Sequence, residues 1–179
     1  FITSAPSVNY PWVDLTYAGT VTSVFDISGT TFGQLTFTAA SATSVARISG
    51  SNAIRRLEFK GAGMLTGGGN NIDSLILTGS RNYTFAGTNT INKYLKAQAT
   101  TCSGLTEMRG NPTGTLAFGA TATADVANVY MQNMTATGAI TPIAFNGADA
   151  GGNTGWTINS AAGSPRYWVG NSGDWNDPL

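Results

Sequence analysis

Apolar residues recur along this chain as short alternating runs. Leu35-Thr36-Phe37, Leu57-Glu58-Phe59, Leu75-Ile76-Leu77 and Leu95-Lys96-Ala97 share an order of inward, outward, inward, with starts 22, 18 and 20 residues apart. In three cases another apolar residue, Ile54, Ile72 or Ile91, stands three or four positions upstream. Leu116-Ala117-Phe118 and Val129-Tyr130-Met131 keep the alternation at a different spacing. Period-two alternation in short runs, broken by Gly, Asn, Ser and Thr, predicts β-strands. No window sustains a helical period, and Thr, Gly and Asn are poor helix formers.

Recurrence of one strand type about every 20 residues predicts a solenoid in which each repeat makes one coil. The expected fold is therefore all-β, a parallel β-helix with coils of about 20 residues. The alternative is a β-sandwich, since strands at short regular intervals also describe one. In the solenoid, Leu35, Phe37, Leu57, Phe59, Leu75, Leu77, Leu95 and Ala97 stack inward, while Thr36, Arg56, Glu58, Lys60, Thr78, Tyr94 and Lys96 face out. Corners are expected at Gly50-Ser51-Asn52, Gly67 to Asn71, Gly79-Ser80-Arg81-Asn82 and Gly110-Asn111-Pro112, where Gly and Asn tolerate positive φ. About eight coils at about 4.8 Å each make a rod on the order of 40 Å long. The segment from Phe1 to Gly19, with Tyr10, Trp12 and two prolines, is expected to cap the first coil or continue an earlier one.

Composition narrows the function. Only 10% of the 179 residues are charged, against about 25% in ordinary soluble domains. Thr, Ser and Asn supply roughly three residues in ten. Nine basic residues balance nine acidic ones, so no basic surface for nucleic acid or anionic lipid is expected. No apolar run approaches the roughly 20 residues that span a bilayer. Cys102 is the only cysteine, so it forms no internal disulfide and reads as a small buried hydrophobe.

The chemistry available is sparse. There is no His, which removes the commonest general base and metal ligand. Lys60, Lys93 and Lys96 fall at solvent-facing positions, and Cys102 lacks a His partner for thiol catalysis. Glu58 and Asp73 form the best carboxylate pair on neighbouring coils, but they occupy different places in the strand pattern and read as separate solvated charges. No cofactor is expected, with calcium as the one candidate ion. Asn171, Ser172, Asp174, Asn176 and Asp177 gather hard oxygen ligands around Gly173, with Asp174, Asn176 and Asp177 as the candidate set. Asn70, Asn71 and Asp73 make a weaker group. Thr-X-Thr pairs, at Thr36/Thr38, Thr88/Thr90, Thr113/Thr115, Thr121/Thr123 and Thr135/Thr137, would suit ice if stacked in every coil, but their irregular intervals argue against it. Tyr17, Tyr83, Tyr94, Tyr130, Trp12 and Trp156 are aromatic candidates for sugar stacking, each also at home in a core.

The C-terminal region carries the most specific motifs. Gly151-Gly152-Asn153-Thr154-Gly155-Trp156-Thr157-Ile158 is followed by Tyr167-Trp168-Val169-Gly170-Asn171-Ser172-Gly173-Asp174-Trp175-Asn176-Asp177. These segments resemble the boundary motifs of tandem modules in giant cell-surface proteins of Bacteroidetes, including gliding-motility adhesins exported by the type IX secretion system. The resemblance covers the last thirty residues closely and the preceding coils loosely. It implies a solenoid module over residues 1–160, its start missing, a hinge at 161–166, and the beginning of the next module at 167–179. A chain that opens at Phe1 and stops inside a motif fits an internal fragment. Trp156, Trp168 and Trp175 are then expected at the junction between modules. The implied function is a non-enzymatic structural stalk or adhesive repeat of a very large secreted adhesin, extracellular at the cell surface. Its implied partners are neighbouring modules of the same chain and surface polysaccharide or the substratum, with no nucleic acid and no membrane insertion. The alternative is a carbohydrate-binding or polysaccharide-degrading β-helix. Asp73-Ser74-Leu75 resembles the short O-glycosylation signal of Bacteroidetes secreted proteins, which makes Ser74 a candidate attachment site.

Overall fold

A short alternating strand leaves one row of backbone donors and acceptors open on each edge, and in this chain the next coil supplies the partners. The computed structural model describes residues 2–3, 9–17, 22–26, 28–39, 45–99 and 104–160. Their strands are β1 Ile2–Thr3, β2 Asn9–Tyr17, β3 Thr22–Asp26, β4 Thr31–Ala39, β5 Val45–Ser49, β6 Ala53–Lys60, β7 Ala62–Leu65 and β8 Asn71–Thr78. They continue as β9 Asn82–Gln98, β10 Thr106–Phe118, β11 Thr123–Ala127, β12 Val129–Gly138, β13 Ile143–Phe145, β14 Ala148–Asp149 and β15 Thr157–Asn159. Every strand pair among the described residues is parallel, and the coils average about 21 residues. The fold is a parallel β-solenoid, and the sandwich alternative is excluded.

Three faces wrap the core. The first stacks β2, β4, β6, β8, the second half of β9, β11, β13 and β15. The second stacks β1, β3, β5, β7 and the leading parts of β9, β10 and β12, followed by β14. In the later coils a third face opens between them, where Gly87 to Ile91 of β9 pair with Gly114 to Phe118 of β10, and these with β12. The corner expected at Gly110-Asn111-Pro112 lies inside β10, where the register jumps between Gly110 and Gly114. It bends one strand from the second face to the third.

The inward ladders hold as expected. Leu35, Leu57, Leu75 and Leu95 are in register and at most 1% exposed. Phe37, Phe59, Leu77, Ala97, Val126 and Ala144 form a second column, equally buried. Phe37 stacks on Phe59 at 5.3 Å between ring centroids, and Phe59 meets Tyr83 at 6.2 Å. Each such contact adds about 0.5–1.5 kcal/mol to the burial of its area. Of the outward positions, Thr36 departs from expectation: it is 3% exposed. It lies between Asp14 and Glu58 in register, and Gln34 donates to its Oγ1 at 3.3 Å.

The corner asparagines also differ from their expected role. Gly50 and Gly69 do take positive φ, both +86°, where a side chain would be strained. Asn52, Asn70 and Asn89 instead turn inward, at most 4% exposed, and form an amide ladder. Asn52 Nδ2 donates to Asn70 Oδ1 at 2.9 Å, and Asn70 Nδ2 donates to Asn89 Oδ1 at 2.7 Å. One amide supplies a donor and an acceptor at each coil spacing, so a polar column persists inside an apolar core. It ends where Leu116 follows Asn89 in register.

Candidate functional site

Regular stacking turns sequence positions into rows on the surface. One residue before each inward ladder position, Trp12, Gln34, Arg56, Ser74 and Tyr94 align across five successive strands of the first face. Trp12 is 67% exposed. The next outward row runs Asp14, Thr36, Glu58, Ile76, Lys96 and Asp125. Ile76 points outward yet is only 6% exposed, because Glu58 and Lys96 flank it on the adjoining strands.

Two depressions meet on this surface. One, of about 410 Å³, is lined by Gln34, Arg55, Arg56, Asp73, Ser74 and Lys93 among others. The second, of about 630 Å³, is lined by Arg56, Glu58, Ile76, Tyr94, Lys96 and Gln98 among others. Arg56 borders both. The result is a groove with an apolar floor at Ile76 and polar or cationic walls.

The carboxylates flanking the groove are each engaged by a different cation. Arg56 holds Glu58 at 3.1 Å, and Lys93 holds Asp73 at 2.7 Å. Asp73 sits opposite a bulge in β9, where two residues, Asn92 and Lys93, face one. Asn92 Nδ2 adds a hydrogen bond at 3.2 Å. The Lys93 hydrogen bond leads in holding the Asp73 carboxyl below the usual carboxylate range, against an opposing push from burial. Tyr94 is shifted the other way: burial raises its phenol, and the neighbouring Asp125 carboxylate adds to the shift. The phenol therefore stays protonated at neutral pH and can donate a hydrogen bond.

The other residues singled out in the sequence scatter. Asn70 is buried in the amide ladder while Asn71 is exposed and Asp73 is tied to Lys93, so these three do not converge on an ion. Among the described residues, no three His, Cys, Asp or Glu side chains gather into a metal site. Asp174, Asn176, Asp177, Trp168, Trp175 and Cys102 lie outside the described residues. Ser74 is half-buried on the groove wall, so a sugar attached there would occupy the groove. Tyr83 is 1% exposed inside the aromatic stack, which removes it as a sugar platform. Tyr130 lies under the Arg109 guanidinium at 4.6 Å on the second face. Trp156 meets Phe118 edge-on at 6.0 Å, in the last described coils.

The Thr-X-Thr pairs require a correction. Their irregular intervals do not prevent stacking, because coil length varies: Thr88, Thr115, Thr135 and Thr154 align in one row. The companion row runs Thr90, Ala117, Thr137, so the double column is broken at Ala117. Sequence reasoning also missed the row from Trp12 to Tyr94. The signal was present, since Trp12, Gln34 and Arg56 recur at the same 22-residue interval as Val13, Leu35 and Leu57.

No family model, curated protein or solved structure matches this chain.

Proposed function

We propose that this chain is a structural and adhesive repeat of a very large secreted cell-surface protein, resembling the gliding-motility adhesins exported by the type IX secretion system. The observation that carries the reading is the mode of stacking. Each strand takes its ladder partners from the coils before and after it, so length is added by repetition without new chemistry. The boundary motifs at Gly151–Ile158 and Tyr167–Asp177 support a tandem arrangement. Ile143 and Phe145 of β13, 40% and 54% exposed near the end of the stack, support contact with a following module.

The test is length against copy number. Electron microscopy of proteins carrying one to four tandem copies should show rods that grow by a nearly constant increment of about 30–40 Å per copy, from eight stacked strands at about 4.8 Å. Bending should concentrate near Ala161–Pro165. Particles whose longest dimension fails to grow with copy number would refute the stalk.

A further inference from the structure

We infer that the outer face of the first sheet, from β2 to β9, is a binding site for an acidic polysaccharide lying along the solenoid axis. This extends the adhesive half of the proposed function and rests on that reading only for its biological setting. The argument starts from charge. The whole chain is formally neutral, yet Arg55, Arg56 and Lys60 on β6 and Lys93 and Lys96 on β9 lie on one face, on the two strands that flank β8. Glu58 and Asp73 are the acids among them, which leaves a local excess of three positive charges. Asp14 on β2 lowers the excess over the whole stretch from β2 to β9 to two, and Asp125 lies on the next strand, β11. Arg56 and Lys93 are engaged by Glu58 and Asp73, while Arg55, Lys60 and Lys96 make no ion pair among the described residues. A cationic cluster of this kind attracts anions, and guanidinium groups match planar carboxylates or sulfates with paired donors.

Charge alone does not distinguish a sugar from any other polyanion. The row Trp12, Gln34, Arg56, Ser74, Tyr94 does. Its five strands span about 19 Å at about 4.8 Å per step, room for several sugar rings. Trp12 offers an exposed indole face at one end, against which the C–H face of a pyranose can pack. Gln34, Ser74 and Tyr94 supply an amide and two hydroxyls suited to ring hydroxyls. Between the cations, Ile76 closes the floor of the groove beneath Glu58 and Lys96. Aromatic platform, hydroxyl partners and oxyanion partners share one face, with Trp12 beyond the end of the groove, which fits a chain of sugars bearing carboxylate or sulfate groups. The charge-free row of Thr88, Thr115, Thr135 and Thr154 offers no such mixture.

The experiment is affinity electrophoresis and calorimetry on the 179-residue protein. Polygalacturonate carries the oxyanion as carboxylate, dextran sulfate as sulfate, neutral dextran carries none, and polyglutamate carries charge without sugar. Binding to polygalacturonate or dextran sulfate at least about tenfold tighter than to dextran or polyglutamate is expected, and the tighter of the first two identifies the oxyanion. The Arg55→Ala/Arg56→Ala double variant should lose about tenfold or more, and Trp12→Ala about fivefold, with unchanged thermal unfolding. Arg81→Ala, at the exposed residue just before β9 on the second face, should bind as the parent does. Equal binding to polyglutamate, tighter binding to single-stranded DNA, no binding to either acidic polysaccharide, or no loss in folded groove variants would each overturn the inference. Failure of tandem copies to lengthen would refute the stalk and leave this site standing. Loss of binding in copies that do lengthen would refute this site alone.

Discussion

Asn70 provides the sharpest test of how this solenoid tolerates polar groups inside. Its side chain is 1% exposed and makes four hydrogen bonds. Oδ1 accepts from Asn52 Nδ2 at 2.9 Å and from the Asn52 backbone N–H at 3.1 Å. Nδ2 donates to Asn89 Oδ1 at 2.7 Å and to the Gly67 carbonyl at 3.0 Å. In Asn70→Ala those four partners lose their contact together, and each bond is worth about 1 kcal/mol net, more where the partner stays dry. Allowing water to reach part of the space, the expected loss is about 3–5 kcal/mol, a large share of the roughly 5–15 kcal/mol that holds a domain. Asn89→Ala, at the end of the ladder, removes the contact to Asn70 and a longer one to the Ala86 carbonyl. It should cost about half as much.

The Asn70→Asp variant separates hydrogen bonding from packing. Its second carboxylate oxygen would face two acceptors, Asn89 Oδ1 and the Gly67 carbonyl, where the amide had donated. The carboxyl is thereby pushed to a higher pKa in the folded state than in the unfolded chain. The folded state then binds the extra proton, so the variant should be most stable below about pH 4, the unfolded carboxyl value, and weaken as pH rises through the raised folded value. Urea unfolding followed by circular dichroism at several pH values reads both effects. A cost below about 1 kcal/mol for Asn70→Ala, or an Asn70→Asp variant as stable at pH 8 as at pH 4, would refute the ladder reasoning.

Leu75→Ala, at 0% exposure in the central column, should cost about 2–5 kcal/mol in the same unfolding assay. Gly33→Ala would drive a Cβ into the Pro11 carbonyl oxygen of the neighbouring strand. It should push β2 from β4, cost about 1–3 kcal/mol and weaken polysaccharide binding through displacement of Trp12, as unfolding and electrophoresis together would register. Lys93→Met should lower stability at pH 7 by less than about 1 kcal/mol, since the pair with Asp73 is largely solvated. The Asp73 carboxyl is held below its unfolded value, so its contribution is present above about pH 4 and lost as pH falls through the folded value. The variant should flatten that part of the acid-unfolding curve.

The central coils were legible because their chemistry repeats. Leu35, Leu57, Leu75 and Leu95, each two residues before another apolar side chain, indicate strand, inward face and coil length together, while the parallel pairing is what excludes the sandwich. The chain by itself also indicated the corners at Gly50 and Gly69, where positive φ favours glycine. It did not reveal the amide ladder. Asn in a Gly-rich stretch reads as a turn residue, and only stacking one coil on another sets three amides at hydrogen-bonding distance inside the core.

The groove depended still more on tertiary structure. Trp12, Arg56 and Tyr94 are up to 82 residues apart in the chain, and their alignment follows from interstrand register rather than from any local motif. Coil length varies, as the 20-residue step from Leu75 to Leu95 and the 29-residue step from Leu95 to Ala124 show. Side chains pointing inward must meet their neighbours to stay dry, so the ladder absorbs insertions at corners or in a bulge such as Asn92-Lys93 and keeps its register. The outward rows inherit that register with no such constraint on residue type. The sequence alone therefore determined which apolar residues face the core, because burial limits that part of it to a few kinds, while the inward asparagines needed the stacking to be seen. Which exposed residues become neighbours was decided by the stacking, because hydrogen-bonded register, not side-chain chemistry, sets the rows on the surface.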